Sequence, residues 1–268
     1  MNPPSSSFVS ANLLILNLAI KDMIKSKYCV YCGITIRKSN NAPDGRSVEH
    51  LIPNSAVSKK RTNAKGDFNV CRGCNTQKSK IDQLFGLLSR ISAKGGGGDE
   101  AITEISKLYK KNDKRIRRMI DSASDFRGGK NLKLPFKGED IYDYGVFLTK
   151  GQYFKERKEL LNLDEKVVIV KWLGPNASEQ ITELYQQQSN NRDRFKDLAM
   201  NKSVEDVGGE CFIVANSKSN QFLFFFNELY LLITEIVDLN EKSKLEKRTN
   251  KQYLIAGFTN GKPNKYCI

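Results

Sequence analysis

The sequence contains a single histidine, His50, in a chain of 268 residues. Imidazole is the side chain whose ordinary pKa lies near neutral pH, so a reaction that needs such a base has one candidate. Long apolar runs are also missing, because Leu13 to Ile20 is interrupted by Asn17. A bilayer span needs roughly 20 apolar residues. The sequence therefore predicts no membrane-spanning segment.

The first residues lack the basic start, apolar stretch and small-residue cleavage site of a secretory signal. Hydrophobic residues make up 39% of the chain, which is enough for the core of one or two domains. We therefore expect a globular cytoplasmic protein with reduced cysteines and no membrane partner.

Basic residues are concentrated in the N-terminal part of a chain whose net charge is +14. Residues 1–80 contain 13 basic and 4 acidic side chains, residues 81–160 contain 17 and 12, and residues 161–268 contain 14 and 14. A merely solvated surface would spread this excess evenly, whereas a polyanion-binding surface concentrates it. The distribution favours nucleic acid as a partner.

Composition also divides the chain into four segments of an α+β protein. They are an N-terminal helix within 1–27 that packs on the next segment, a small module at 28–94, a basic helical segment at 99–134 and a mixed α/β domain at 135–268. The module is rich in Gly, Asn, Ser and Cys, as in small domains held by something besides a core. The last domain has no net charge, so we expect it to bind a protein partner or to have a regulatory role.

Finer periodicity predicts individual elements. The predicted helices are 11–25, 99–123, 150–161 and 178–200. The predicted strands are 167–172, 210–215, 222–226 and 253–258, and 228–238 fits either helix or strand. The helix over 99–123 carries basic residues opposed only by Asp113: Lys107, Lys110, Lys111, Lys114, Arg115, Arg117 and Arg118. A solvated helix face and a phosphate-binding surface both fit this run.

Two Cys-x-x-Cys pairs, Cys29/Cys32 and Cys71/Cys74, flank the histidine. In a reducing compartment, one tetrahedral Zn²⁺ site explains them more economically than two disulfides, because thiolates on tight turns converge on a soft metal. The 38 residues between the pairs exceed the spacing of a plain zinc ribbon, so an insert containing His50 must loop out. Cys211 is expected to be a buried small hydrophobe, as is Cys267.

Three motifs occur in order: Cys29-x-x-Cys32, Glu49-His50-x-x-Pro53 and Asn69-Val-Cys71-x-x-Cys74-Asn75-x-x-Lys78-Ser79. Together they resemble the HNH endonuclease family, whose zinc-stapled module has the ββα-metal fold. The resemblance covers about 50 residues, 29–79, and implies an enzyme that hydrolyses phosphodiester bonds.

The resemblance implies a role for each matching residue. His50 corresponds to the general base that activates water, while Glu49 and Asn75 correspond to the ligands of a catalytic Mg²⁺ or Mn²⁺. Carboxylate and amide oxygens suit these hard cations. Glu49 stands where aspartate is commoner in the family. Because adjacent residues on a strand point to opposite faces, Glu49 and His50 can address one phosphate only if the strand bulges or ends there.

The resemblance also implies an asparagine that orients the loop carrying His50 through its backbone. Asn69 is the better match by its place before Val70, and Asn63 is the rival. Five basic residues are expected to contact phosphates: Lys59, Lys60, Arg61, Lys78 and Lys80. Ordinary surface side chains are the alternative for them.

The resemblance implies DNA as the substrate, and RNA stays open. The neutral C-terminal domain favours a nuclease subunit in antiviral (anti-phage) defence, in complex with a partner such as an ATPase. A stand-alone restriction-type or mobile-element endonuclease is the alternative, and a zinc-stapled module that binds nucleic acid without cutting it is a third.

Overall fold

The computed structural model describes residues 23–38, 41–58, 61–93, 96–126, 129–173, 202–216, 220–227, 229–241 and 257–258. Within these ranges the fold mixes α-helices with antiparallel β-sheets, as the sequence predicts. The helices are α1 (Arg72–Ser89), α2 (Gly97–Lys110), α3 (Lys114–Asp121) and α4 (Gly138–Arg157). The strands are β1 (Arg46–Glu49), β2 (Phe68–Cys71), β3 (Ser124–Phe126), β4 (Gly129–Asn131), β5 (Lys166–Leu173), β6 (Lys202–Gly208), β7 (Cys211–Asn216), β8 (Gln221–Phe226), β9 (Tyr230–Asp238) and β10 (Gly257–Phe258).

Strands β1 and β2 form an antiparallel pair that leads directly into α1. The register places Arg46 opposite Cys71 and Glu49 opposite Phe68. Cys71 caps α1, because its Sγ accepts a hydrogen bond from the Cys74 N–H at 3.4 Å. Alternate residues of a strand share a face. In β1 the face that carries Ser47 and Glu49 is turned toward α1.

The C-terminal half builds a six-stranded antiparallel sheet in the order β10-β5-β9-β8-β7-β6. Helix α4 packs between this sheet and the β1–β2 pair, and two of its glycines allow the close approach. A Cβ at Gly145 would lie 2.4 Å from Val170 of β5, and one at Gly151 would lie 2.5 Å from Leu51. The buried hydrophobic residues from Cys29 to Ile236 therefore form one continuous core.

Several predicted elements have different bounds in the structure. The helix over 99–123 is two helices, because Asn112 takes a left-handed conformation with φ of 60° and Asp113 then caps α3. The helix at 150–161 begins twelve residues earlier, at Gly138. Residues 228–238, which fit either helix or strand, contain β9, and β6 was not predicted.

The N-terminal helix over 11–25 lies outside the described residues except for its end. Those last residues are not helical, and Ile24 forms a bridge to Phe68 instead. The predicted helix at 178–200 and Cys267 also lie outside the described residues. Within the part of the chain that is described, no helix combines the length and apolarity needed to cross a membrane.

Candidate functional site around His50 and the four cysteines

The four cysteines of the two Cys-x-x-Cys pairs converge on one point. Their Sγ atoms all lie within 4.8 Å of one another, and Cys32 Sγ is 3.7 Å from Cys71 Sγ. A tetrahedral Zn²⁺ with Zn–S bonds of about 2.3 Å would separate its sulfurs by about 3.8 Å. The cluster therefore fits a structural metal such as zinc.

Backbone turns present these sulfurs. In the first pair, Gly33 takes φ of 77°, which suits glycine, and its N–H donates to the Cys29 carbonyl at 2.8 Å. In the second pair, the Gly73 N–H donates to the Pro43 carbonyl at 2.8 Å. A hydrogen bond from Cys32 is the largest of the effects that lower the pKa of Cys29 to about 7. A hydrogen bond with Cys29 is the largest effect that raises the pKa of Cys74, so the thiolate form that binds metal is favoured at Cys29 but not at Cys74.

His50 is the first residue after β1, so the strand ends at the point where the sequence argument required a break. The side chain is half-buried, and its Nδ1 is buried without a hydrogen-bond partner among the described residues. Burial is the main cause that lowers the pKa of His50, and the charge of Arg61 lowers it further, although Asp67 opposes the shift. Near pH 7 the imidazole is therefore neutral and able to accept a proton.

Side chains hold backbone groups of three consecutive residues in the loop that begins at His50. Lys78 Nζ donates to the His50 carbonyl at 3.2 Å, and Asp67 Oδ2 accepts the Leu51 N–H at 2.8 Å. Arg61 Nη1 donates to the Ile52 carbonyl at 2.7 Å. The direction of the imidazole is thus set by a backbone with little freedom to move.

These contacts correct one predicted phosphate contact, Lys78, and show the partners of a second, Arg61. Lys78 is fully buried and directed into the protein, so its ammonium is not available to a phosphate in this structure. Arg61 is half-buried and also donates to Asn63 Oδ1 at 3.0 Å. Lys80 is exposed, as a phosphate contact requires, whereas Lys59 and Lys60 lie outside the described residues.

Glu49 belongs to a buried charge cluster between β1 and α1. Lys78 Nζ lies 2.7 Å from Glu49 Oε1 and 2.9 Å from both carboxylate oxygens of Asp82, one helical turn further along α1. Burial raises the pKa of Glu49 to about 7 although Lys78 opposes the shift, and burial likewise raises the pKa of Asp82. Two carboxyl groups share one ammonium, so near pH 7 the cluster favours binding a further proton or cation.

Asn75 lies on the same side of α1 as Lys78, one turn closer to the cysteines. Its Nδ2 donates to Ser47 Oγ at 2.6 Å, and Ser47 is on the same face of β1 as Glu49. The structure therefore brings Asn75 and Glu49 to one side of the β1–β2 pair, on facing elements.

Asn69 does not make the loop contact that the resemblance implies. It is buried in β2 opposite Val48, and its Oδ1 has no hydrogen-bond partner among the described residues. Asp67, which the sequence analysis missed, supports the loop instead, and the rival Asn63 donates to Asp67 Oδ1 at 2.8 Å. No motif marks Asp67 in the sequence.

Asp82 was also missed, although a signal was present. It stands four residues after Lys78, which is the spacing of an ion pair on one helix face. Glu49, the second partner of that lysine, is too distant in sequence for any such rule.

Comparisons of the chain with protein-family models, with curated proteins and with solved structures found no match.

Proposed function

We propose that the protein is a metal-dependent endonuclease of the HNH type that hydrolyses phosphodiester bonds in DNA. His50 acts as the general base that takes a proton from the attacking water. The single observation that carries the proposal is the state of this imidazole. Burial lowers its pKa, its Nδ1 is buried without a hydrogen-bond partner in the described part of the chain, and it follows a strand held beside a four-cysteine cluster.

The chemistry requires a base held still against one phosphate. A general base contributes about 10²- to 10⁴-fold to a rate when it is correctly placed. The contacts of Lys78, Asp67 and Arg61 to the peptide groups that start at His50 supply that placement. The four-cysteine cluster supports the same β1–β2–α1 unit, because the Cys71 thiol caps α1, the helix that carries Lys78.

The buried cluster of Glu49, Lys78 and Asp82 supports a catalytic divalent cation. Glu49 has buried oxygens and a raised pKa, so a further positive charge beside it would be stabilised. Asn75, on the facing helix, offers the second oxygen ligand. A bound Mg²⁺ or Mn²⁺ supplies charge stabilisation at the scissile phosphate. Without this cation, the Lys78 ammonium neutralises part of the charge on the Glu49 and Asp82 carboxyl groups.

A basic surface beside α1 supports a polyanionic substrate. Six of its side chains are exposed: Lys107, Lys110, Lys111, Lys114, Arg117 and Arg118. Arg115 joins this surface to α1, because its Nη1 donates to the Lys80 carbonyl at 2.8 Å. Position 80 lies about 7.5 Å along the helix from Asn75, at about 1.5 Å per residue. The basic surface therefore adjoins the helix that carries Asn75.

A binding module that does not cut is the second candidate, and the burial of Glu49 favours it. The Glu49 side chain is only 1% exposed, and its nearest cation is Lys78. A Mg²⁺ that retains water and also touches a phosphate needs this side chain to become accessible. If the ion pair stays closed, the protein binds nucleic acid without hydrolysing it.

The test compares zinc-loaded wild type with His50→Ala on supercoiled plasmid, linear duplex DNA and RNA, each with Mg²⁺, Mn²⁺ or a chelator. Lys166→Ala, on β5, is the matched control, since it removes a lysine charge that has no part in the proposed site or in phosphate binding. We expect metal-dependent cleavage of DNA by wild type and control, and loss of cleavage in His50→Ala. If none of the three proteins cleaves any substrate while all of them still bind nucleic acid, the result supports the second candidate, a binding module that does not cut.

We further propose that the chain works as a defence nuclease together with a partner such as an ATPase. The neutral charge of residues 161–268 supports this role, because it suits a protein partner better than DNA. Co-purification with neighbouring gene products tests it: a stable complex is expected. Sequence-specific cutting by the isolated protein would instead favour the restriction-type alternative.

A further inference from the structure

Asp67 connects the loop after His50 to the C-terminal half of the chain. Its Oδ2 accepts the Leu51 N–H at 2.8 Å, while its Oδ1 accepts Lys155 Nζ at 2.6 Å. Lys155 lies on α4 and also donates to both carboxylate oxygens of Glu205, at 2.7 and 2.8 Å. Because Glu205 is on β6, the edge strand of the large sheet, one carboxylate links the loop, the helix and the sheet.

The burial of this triad distinguishes it from ordinary surface pairs. The side chains of Asp67 and Lys155 are 4% and 9% exposed, and that of Glu205 is 20% exposed. Lys166 and Asp238 also form an ion pair, but their side chains are 37% and 58% exposed. Solvent and salt screen the exposed Lys166–Asp238 pair strongly and the buried Asp67–Lys155–Glu205 triad only a little. Of the two, only the triad therefore holds its side chains in one fixed arrangement.

The sheet contacts the same loop at two further places. The Thr62 N–H donates to the Val207 carbonyl at 3.2 Å, and Thr62 Oγ1 donates to the Asp206 carbonyl at 2.7 Å. Near the start of the loop, Asn227 Nδ2 donates to the Ala56 carbonyl at 2.7 Å. The described residues of the loop are therefore held from the sheet side as well as from β1 and α1.

We propose that Lys155 is a positioning residue for His50. Held by Glu205, it fixes Asp67, and Asp67 fixes the Leu51 peptide that sets the direction of the imidazole. The inference rests on the proposed role of His50 as the base. It gives the C-terminal half a direct part in the reaction, as the support of the loop that carries the base. A displacement of about 1 Å at such a loop can cost about 100-fold in rate.

The test uses the full chain without a histidine tag, so that His50 is the only imidazole and gives one set of NMR signals. Lys155→Met removes the ammonium and keeps most of the stem, Lys155→Arg keeps the charge, and Lys166→Met is the matched control at the exposed pair. Three properties are measured: the His50 ring signals at fixed pH, the hydrogen-exchange rate of the Leu51 amide, and kcat and KM for DNA cleavage.

We expect Lys155→Met to shift the His50 signals and to speed Leu51 exchange about tenfold, the change for weakening one charge-assisted hydrogen bond. The amide of Leu232 in β9 should exchange as in wild type. The kcat should fall at least about tenfold, and by a larger factor than KM changes, because the displacement acts mainly on the base. Lys155→Arg should restore all three properties, and Lys166→Met should alter none.

Unchanged His50 signals and Leu51 exchange in folded Lys155→Met would overturn the proposal, as would equal effects of Lys166→Met. If Lys155→Met does not fold, Glu205→Gln replaces it, with a smaller shift in the same direction expected and no shift overturning the inference. If neither wild type nor any variant cleaves DNA, the proposed function fails, but the inference about Lys155 is not decided by that result. The signals of His50 and the exchange of Leu51 then still decide whether Lys155 holds the loop.

Discussion

Replacement of Lys78 by methionine tests the buried charge cluster most severely. The ammonium lies 2.7 Å from Glu49 and 2.9 Å from Asp82, and the Lys78 and Glu49 side chains are 0% and 1% exposed. At an effective dielectric constant of about 20, each contact is worth about 6 kcal/mol of attraction, most of it offset by desolvation. Removing one partner of a buried pair costs about 3–5 kcal/mol.

We therefore expect Lys78→Met to lower the free energy of unfolding by about 3–5 kcal/mol, because two carboxylates lose their shared counter-ion. Urea unfolding of the zinc-loaded protein measures this change. Lys80→Met, two positions along the same helix and exposed, should change stability by less than about 0.5 kcal/mol. Adding Glu49→Gln to Lys78→Met should recover part of the loss, since it removes a buried carboxyl group that has lost its partner. A loss below about 1 kcal/mol for Lys78→Met would refute the reasoning.

Three further predictions follow from other parts of the structure. Cys29→Ser should abolish binding of one Zn²⁺ per chain, measured by metal analysis, and should unfold the β1–β2–α1 unit, because the cluster loses a ligand. Gly86→Ala should lower the free energy of unfolding by about 1–3 kcal/mol in urea, since its Cβ would lie 2.2 Å from Ser55 Oγ. The pKa of Asp67 is lowered, because Lys155 and the Leu51 N–H outweigh the opposing effect of burial. The stability that this carboxylate contributes is therefore present above its unfolded pKa of about 3.9 and is lost as the pH falls below that value. When the pH is lowered through this range, the free energy of unfolding of Asp67→Asn should decline less steeply than that of wild type.

Spacing alone predicted which cysteines converge, and the structure confirms that all four meet in a cluster able to hold a metal. Two Cys-x-x-Cys pairs impose this outcome because each pair is a local turn that needs only one long-range contact. The strand break at His50 was also foreseeable, since side chains alternate along a strand. Both inferences depend on local geometry.

The surroundings of these residues were not predictable in the same way. The sequence cannot distinguish a buried lysine such as Lys78 from a surface one, because one of its partners, Glu49, is distant along the chain. The early start of α4 was missed because Gly138 and Gly145 lower helix propensity, whereas Gly151 lies within the predicted helix. The structure shows why two of these glycines are needed: a Cβ at either would collide with Val170 or Leu51.

The most direct test of the account is the single-turnover rate of DNA cleavage by wild type and His50→Ala at equal zinc content. Because the chain has no other histidine, no second imidazole can replace the base. The account predicts that His50→Ala binds zinc and DNA like wild type but cleaves at least about 100-fold more slowly. Equal rates for the two proteins would contradict the assignment of His50 as the base.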